Sequence, residues 1–223
     1  MPVIESYFLD TNILVKTSEY FRVKEEGGDV SKLESYYAFL RQTRNDGHKL
    51  IISRISILEM YFLYHRWFYY DKKREERAPF NEIFDRREAT YELEERERIQ
   101  IRDIIEDFVR RSKSLGIEFS NVDQNDVLEL AEILYKGSKP SVEPYNLTIY
   151  ANSILECSKY LVTDDGKLRK AIDYLRKQYK EEIRREIIDR FGEAKYPYWI
   201  KKHDLPNARK PKANRKMHKS IPD

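Results

Sequence analysis

Short apolar segments alternate along this chain with longer segments of helical periodicity, and the apolar segments end abruptly in polar residues. They cover residues 3–9, 49–53, 117–119 and 160–163, and Asp10 directly follows the first of them. Apolar runs of this length are typical of buried strands. Strands separated by helices predict a parallel sheet with helices on both faces, and such sheets bind ligands at the carboxyl ends of their strands. The fold class is therefore predicted to be α/β, with functional residues after the strands.

Residues with capping preferences mark the starts of the predicted helices. Ser56 is expected to open the helix after the second strand, with Glu59 three positions on, a pairing that also fits a capping box without a catalytic role. Asp123 or Asn125 is expected to cap a later helix. Pro144 lies where a first helical residue is expected, because its fixed φ suits that position.

The segment 66–114 differs from its surroundings in its dense charge of alternating sign. This pattern predicts a long helical hairpin or arm with a solvated charged face. Because 223 residues suit one large domain, we expect a domain over residues 1–200 with a helical insertion at about 66–114. The aromatic-rich run 61–70 is expected to pack against this arm, with base stacking as the alternative.

Basic charge is concentrated in residues 201–223, which contain eight Lys or Arg and two Asp and so carry +6. The rest of the chain, with 34 basic and 37 acidic side chains, carries −3. A tail with several prolines and few apolar residues is expected to be flexible, and it either attracts nucleic acid or only aids solubility. The tail residues expected to bind RNA are Lys201, Lys202, Arg209, Lys210, Lys212, Arg215 and Lys216.

The composition argues against a membrane protein and against general disorder. Hydrophobic residues make up 40% of the chain, enough to form a core, while the longest apolar runs are far shorter than the roughly 20 residues that a bilayer span needs. A single cysteine, Cys157, cannot form an internal disulfide, which fits a reducing compartment. We therefore expect a cytoplasmic protein in which Cys157 is a small core residue.

Three acidic positions are associated with predicted strands. Asp10 follows the first strand, Asp165 follows the fourth together with Asp164, and Glu59 lies one turn into the helix after the second. We expect them to converge on one edge of the sheet. Crowded carboxylates repel one another, so such a cluster implies a cation, and oxygen ligands favour Mg²⁺ or Mn²⁺.

The segments that carry these acids resemble the PIN-domain ribonucleases. The resemblance lies in residues 8–14 (FLDTNIL), 51–59 (IISRISILE) and 160–165 (YLVTDD), which agree with that family in order and spacing. It covers roughly residues 3–65 and 115–170. It implies a three-layer α/β/α sandwich around a parallel sheet, and cleavage of RNA with Mg²⁺ or Mn²⁺ held by an acidic quartet.

Carried over to this chain, the resemblance implies that Asp10, Glu59 and Asp165 are catalytic metal ligands. The supporting polar residues would be Asn12, Thr163 and Ser56. The third acid of the quartet falls on Asn146, which offers a carbonyl oxygen but no charge. Asp164 or Glu143 would then help to hold the ion.

Two hypotheses for the function follow, together with two that the residues disfavour. The first is a metal-dependent endoribonuclease that cleaves single-stranded or structured RNA; the second is an RNA-binding or protein-assembly module in which Asn146 has ended catalysis. A phosphatase with Asp10 as nucleophile is disfavoured because residue 12 is Asn and not a second Asp. A nucleotide-binding Rossmann domain is disfavoured because no glycine-rich turn follows a strand.

The resemblance also suggests partners. Small members of the family act as toxins neutralised by an antitoxin, and other members process ribosomal RNA. Beside RNA, the expected partners are therefore an antitoxin or another protein at the helical arm, or a second copy of the chain.

Overall fold

The computed structural model describes residues 4–79, 92–138, 143–178, 181–192 and 198–200. Within these ranges the chain forms five strands and eight helices, so the prediction of an α/β fold is confirmed. The strands are β1 (Ser6–Leu9), β2 (Lys49–Ile52), β3 (Ile117–Phe119), β4 (Tyr160–Val162) and β5 (Tyr198–Ile200). The helices are α1 (Thr11–Glu25), α2 (Glu34–Asn45), α3 (Arg54–Glu75), α4 (Glu95–Ser114), α5 (Gln124–Gly137), α6 (Pro144–Leu155), α7 (Gly166–Gln178) and α8 (Glu181–Phe191).

The strands form one parallel sheet in the order β3-β2-β1-β4-β5. The chain moves from β1 outwards to β2 and β3, and then crosses back to place β4 on the other side of β1. The order therefore reverses between β1 and β4, which is where open parallel sheets bind ligands. Leu9 is level with Ile52 on one side and with Val162 on the other, so the polar segments after β1 and β4 begin at the same height.

Helices cover both faces of the sheet. Tyr7 and Leu9 of β1 face a core that contains buried residues of α1 to α4, whereas Phe8 faces a second core built with α5 to α8. Neighbouring strand residues alternate in the same way, as expected when successive side chains point to opposite faces. The described chain is thus arranged in three layers, with the sheet in the middle.

The described parts of the segment 66–114, residues 66–79 and 92–114, pack in the first layer. α4 packs against α3, α1 and β3, and its residues Ile101, Ile105 and Phe108 are buried in the first core. The opposite side of α4 is charged and exposed, with ion pairs such as Arg102–Asp103. The expectation of helices with a solvated charged face is therefore confirmed. Of the two expected forms, a helical hairpin or an arm, the contact between α3 and α4 fits the hairpin, while residues 80–91 lie outside the described ranges.

The helix starts test the capping predictions. Asp123 caps α5 by accepting from the Asn125 amide at 2.7 Å, and Pro144 is the first residue of α6, as predicted. The prediction that Ser56 opens α3 is wrong, because the helix begins at Arg54 with Ser53 as its cap.

Cys157 is exposed, so the prediction that it is a small core residue is also wrong. It follows the end of α6 with φ of 50°, where the Ser158 amide donates to the Ser153 carbonyl and the Cys157 amide donates to the Ile154 carbonyl. This left-handed position usually holds glycine. The turn that reverses the chain after α6 therefore carries the Cys157 side chain into solvent.

No helix in the described ranges combines the length and the apolar character that a membrane crossing requires.

Candidate functional site

Asp10 lies at the centre of the carboxyl edge, directly after β1. It caps α1, and its Oδ1 accepts from the Thr11 amide at 2.7 Å. Its Oδ2 accepts from the Thr163 hydroxyl at 2.5 Å and from the Asn12 side-chain amide. Only 3% of Asp10 is exposed. A carboxylate held by three donors in a buried position has a fixed orientation.

Asn12 and Thr163 join the segments after β1 and β4. The Asn12 amide nitrogen donates to Thr163 Oγ1 at 3.1 Å, and its carbonyl oxygen accepts from the Asp164 amide at 3.1 Å. Thr163 Oγ1 also accepts from the Asp165 amide at 2.9 Å. The two residues predicted as polar supports thus form the link that sets the distance between Asp10 and Asp165.

Glu59 reaches the same edge from α3. Its Oε2 accepts from the Thr11 hydroxyl at 2.5 Å, which connects the first turn of α1 with the second turn of α3. Thr11 was not among the site residues predicted from the sequence. One sequence signal could have identified it: Thr11 directly follows the capping Asp10. A hydroxyl in the first helical turn after a strand lies at the carboxyl edge of the sheet, where Asp10 is.

Asp165 caps α7 and contacts Asn146, which stands where the third acid of the quartet was expected. Its Oδ1 accepts from the amides of Lys167 at 2.6 Å and Leu168 at 3.3 Å, and its Oδ2 accepts from the Asn146 side-chain amide at 3.1 Å. Asn146 is buried in the first turn of α6. The predicted residue Asn146 therefore does adjoin Asp165, and it donates a hydrogen bond where an aspartate would bring a charge.

The electrostatics of this edge are dominated by burial and by like charge. The pKa of Asp10 is raised to about 7, chiefly by burial; the charges of Glu59 and Asp165 also raise it, and the hydrogen bonds from Thr163 and Thr11 lower it. Burial likewise raises the pKa of Glu59, with contributions from Glu143 and Asp165. In the described part of the chain no Lys, Arg or His forms an ion pair with Asp10, Glu59 or Asp165. Basic residues are nearby, since Arg169 donates to the Asp165 backbone carbonyl at 3.3 Å and Lys167 pairs with Glu143, but within the described ranges they do not pair with these three carboxylates.

The fit of these residues to a divalent ion can be judged from their open acceptor positions. Each carboxylate oxygen can accept about two hydrogen bonds, so Asp10 Oδ1 and Asp165 Oδ2 each keep one position, and Glu59 keeps its Oε1. Among the described residues, however, no three Asp, Glu, His or Cys side chains form a group that could hold a metal ion by themselves. A Mg²⁺ ion bound here would have to take most of its ligands from water, as Mg²⁺ commonly does when one or two carboxylates hold it.

Asp164 is engaged elsewhere. Its Oδ2 accepts from the Tyr36 hydroxyl of α2 at 2.8 Å, and burial together with this carboxylate raises the pKa of the Tyr36 phenol. The role of Asp164 as a helper ligand, considered from the sequence, is therefore less suited to the structure than a role in holding α2 against the loop after β4. Tyr36 was missed because it lies 128 residues away along the chain.

Ser56, predicted as a supporting residue, is fully buried, and its hydroxyl has no hydrogen-bond partner among the described residues. Ser53 occupies the capping position instead, where its Oγ accepts from the Ile55 amide at 3.1 Å and from the Asn152 side-chain amide at 3.0 Å. Asn152 in turn accepts from Ser120 after β3 at 2.7 Å. This buried network ties the ends of β2 and β3 to α6.

Removal of the hydroxyl should lower the stability of the protein at Ser53 but not at Ser56. We expect Ser53→Ala to lower the free energy of unfolding by about 2 kcal/mol, because it removes a helix cap and leaves the buried Asn152 amide without an acceptor. Ser56→Ala should leave stability unchanged or raise it by up to about 1 kcal/mol, since it removes a buried hydroxyl that has no partner. Urea unfolding of both variants measures the difference. An equal decrease in the free energy of unfolding of both variants would show that the Ser56 hydroxyl does have a hydrogen-bond partner.

The aromatic run 61–70 divides into core and surface residues. Tyr64 and Tyr69 are buried, and Trp67 and Phe68 pack partly buried against the first core, as expected for most of the run. Phe62 is the exception, with 53% of its surface exposed.

A cavity of about 910 Å³ lies between α1, α3 and α4, lined by residues that do not include Asp10, Glu59 or Asp165.

The basic tail, residues 201–223, lies outside the described residues, so its predicted role in binding RNA stays a prediction.

Comparisons of the chain with protein-family models, with curated proteins and with solved structures found no match.

Proposed function

We propose that this protein is a metal-dependent endoribonuclease with a PIN-like fold, in which Asp10, Glu59 and Asp165 hold Mg²⁺ or Mn²⁺. The observation that supports this function is the convergence of three carboxylates at the point where the strand order reverses, without a basic partner among the described residues. A partly buried negative cluster, with Asp10 buried and Glu59 and Asp165 half-buried, is stabilised by a cation. RNA is the proposed substrate because a polyanion can complete the coordination of Mg²⁺ with its phosphate oxygens.

The chain's own residues have distinct tasks in this proposal. Asp10 is oriented by Thr163 and Asn12 and contributes its open Oδ1 position to the ion. Glu59 is held by Thr11 through Oε2, and its Oε1 is free to accept a proton from an attacking water. A divalent ion bound here would polarise the phosphodiester and lower the pKa of a water.

The test is cleavage of RNA with Mn²⁺ or Mg²⁺ by the purified full-length protein, with EDTA to stop it. We expect Asp165→Asn to reduce the cleavage rate at least about 100-fold, since it removes a charge from the ion's site. Asp164→Asn is the matched control, because an asparagine at that position can still accept from Tyr36 and should change the rate by less than about threefold. Equal rates in the wild type and Asp165→Asn would contradict the proposal.

A second candidate function is a module that binds RNA or assembles with a protein without turnover. The hydrogen bond from Asn146 to Asp165 favours it, because an amide there satisfies one carboxylate oxygen without an ion. Such a protein would bind RNA in the presence and the absence of divalent ions and leave it intact. A second copy of the chain, or an antitoxin at the outer surface of α3 and α4, would be its protein partner.

A further inference from the structure

One side of α3 carries two arginines that flank an exposed leucine and an exposed phenylalanine. Arg54, Leu58, Phe62 and Arg66 follow one another at intervals of four residues, which keeps neighbours in the series on one side of the helix. Leu58 is 67% and Phe62 53% exposed, and Arg54 is exposed as well. These four residues are named the α3 stripe. Two large apolar side chains that are more than half exposed on successive turns indicate a surface that a binding partner can cover.

The arginines of the α3 stripe have no acidic partner among the described residues. The Arg66 guanidinium lies 5.7 Å from the centre of the Phe62 ring, and its buried Nε has no hydrogen-bond acceptor within the described ranges. By contrast, Arg110 and Arg111 of α4 pair with Asp107. The stripe therefore presents two uncompensated positive charges, separated by about 18 Å at 1.5 Å per helical residue.

The position of the stripe relates it to the carboxylates. α3 begins at the carboxyl edge, because β2 ends at Ile52 and the capping Ser53 follows directly. Arg54 is thus the stripe residue nearest this edge, and Leu58 adjoins Glu59 along the helix. The stripe starts beside the acidic edge and leads away from it over about three turns.

We propose that the α3 stripe binds a single-stranded segment of RNA that leads to Asp10, Glu59 and Asp165. This inference rests on the proposed function and names the path of its substrate. Arg54 and Arg66 contact phosphates, Phe62 stacks on a base, and Leu58 packs against the next base or ribose. Positive charge that alternates with an exposed ring is the composition of surfaces that bind single strands. The guanidinium beside Phe62 restricts the ring, which lowers the entropy that stacking costs.

Binding of a fluorescent oligouridine to the full-length protein in EDTA tests the inference without cleavage. Phe62→Ala should raise the dissociation constant about tenfold through the loss of one stacked base, and Phe62→Trp should retain wild-type affinity. The double variant Arg54→Ala/Arg66→Ala should reduce the slope of log affinity against log salt by about 1.4, since each contact to a single strand contributes about 0.7. Irradiation of oligouridine that contains 5-iodouridine should cross-link it to Phe62.

Matched controls separate the stripe from general surface effects. Leu128→Ala removes an exposed leucine of α5, and Arg98→Ala removes an exposed arginine of α4; both should bind as the wild type does. The inference is overturned if these controls weaken binding as much as the stripe variants, if the stripe variants bind normally, or if Phe62→Ala alters only self-association in sedimentation. Binding through the stripe without Mn²⁺-dependent cleavage would contradict the proposed function and leave this inference standing. If the stripe variants bind and cleave RNA as the wild type does, this inference is contradicted and the proposed function stands.

Discussion

The metal-free protein should become less stable as the pH rises from about 4 to about 7, because Asp10 then loses its proton in a buried site. Its pKa is raised to about 7 by burial and by the charges of Glu59 and Asp165, whereas in the unfolded chain it has the ordinary value of 3.8. Between these values the folded state binds more protons than the unfolded state, so the free energy of unfolding falls with pH. The slope from this residue is at most about 1.4 kcal/mol per pH unit. The loss is absent below pH 4 and complete above pH 7, on the order of a few kcal/mol.

The measurement is thermal or urea unfolding in EDTA across this pH range, with Asp10→Asn as the reference. Asparagine does not ionise, so the substitution changes the free energy of unfolding by the same amount at every pH. The pH dependence of the difference between the two proteins therefore comes from Asp10. At pH 8, Mg²⁺ should raise the melting temperature of the wild type and leave that of Asp10→Asn unchanged, since a ligand stabilises only a state that binds it. Parallel profiles for the two proteins would mean that Asp10 ionises normally in the fold.

Asn146→Asp should increase affinity for the divalent ion about tenfold or more and raise RNA cleavage at low ion concentration. The replacement adds a fourth carboxylate next to Asp165 and removes the hydrogen bond that Asn146 donates to it. Without metal, the added charge in a buried position should lower the free energy of unfolding by about 1–3 kcal/mol. Isothermal titration with Mn²⁺ and cleavage assays measure the two effects.

This variant separates the two candidate functions. Cleavage by the wild type that Asn146→Asp strengthens supports an active enzyme with a weakened site, whereas cleavage that appears only in the variant supports the binding module. Thr148→Ala, two residues further along α6, is the control, because its hydroxyl donates to the Pro144 carbonyl away from the acids. If neither protein binds Mn²⁺, the assignment of Asp10, Glu59 and Asp165 as metal ligands is wrong.

Strands β1 to β4 and their parallel sheet were predictable because their signals are local, whereas β5 (Tyr198–Ile200) was not predicted. Apolar runs such as Phe8–Leu9 end at a polar residue, and that boundary is visible without any tertiary information. Asp10, Glu59 and Asp165 could be selected for the same reason, since each is placed by a strand end or by the helix that follows. The convergence of their charges at one edge follows from the parallel direction of the strands.

The helix cap at Ser53 and the long-range hydrogen bonds of the site could not be predicted from the sequence, because they depend on strand register and strand order. Ser53 and Ser56 both suit a helix start, and only the end of β2 at Ile52 decides that Ser53 takes the capping position. The hydrogen bonds from Thr11 to Glu59 and from Tyr36 to Asp164 join residues 48 and 128 positions apart. No local pattern relates such partners, because their proximity arises from the crossing of the chain over β1.

The burial of α4 limits how far this protein can be shortened. Ile101, Ile105 and Phe108 are each at most 3% exposed, and they close the first core against the same sheet face on which α1 and α3 lie. A version trimmed to the segments that carry the acids would open that core to water, at a cost of several kcal/mol for each large side chain lost. Natural or engineered minimal forms of this architecture would therefore need a replacement cover for that face.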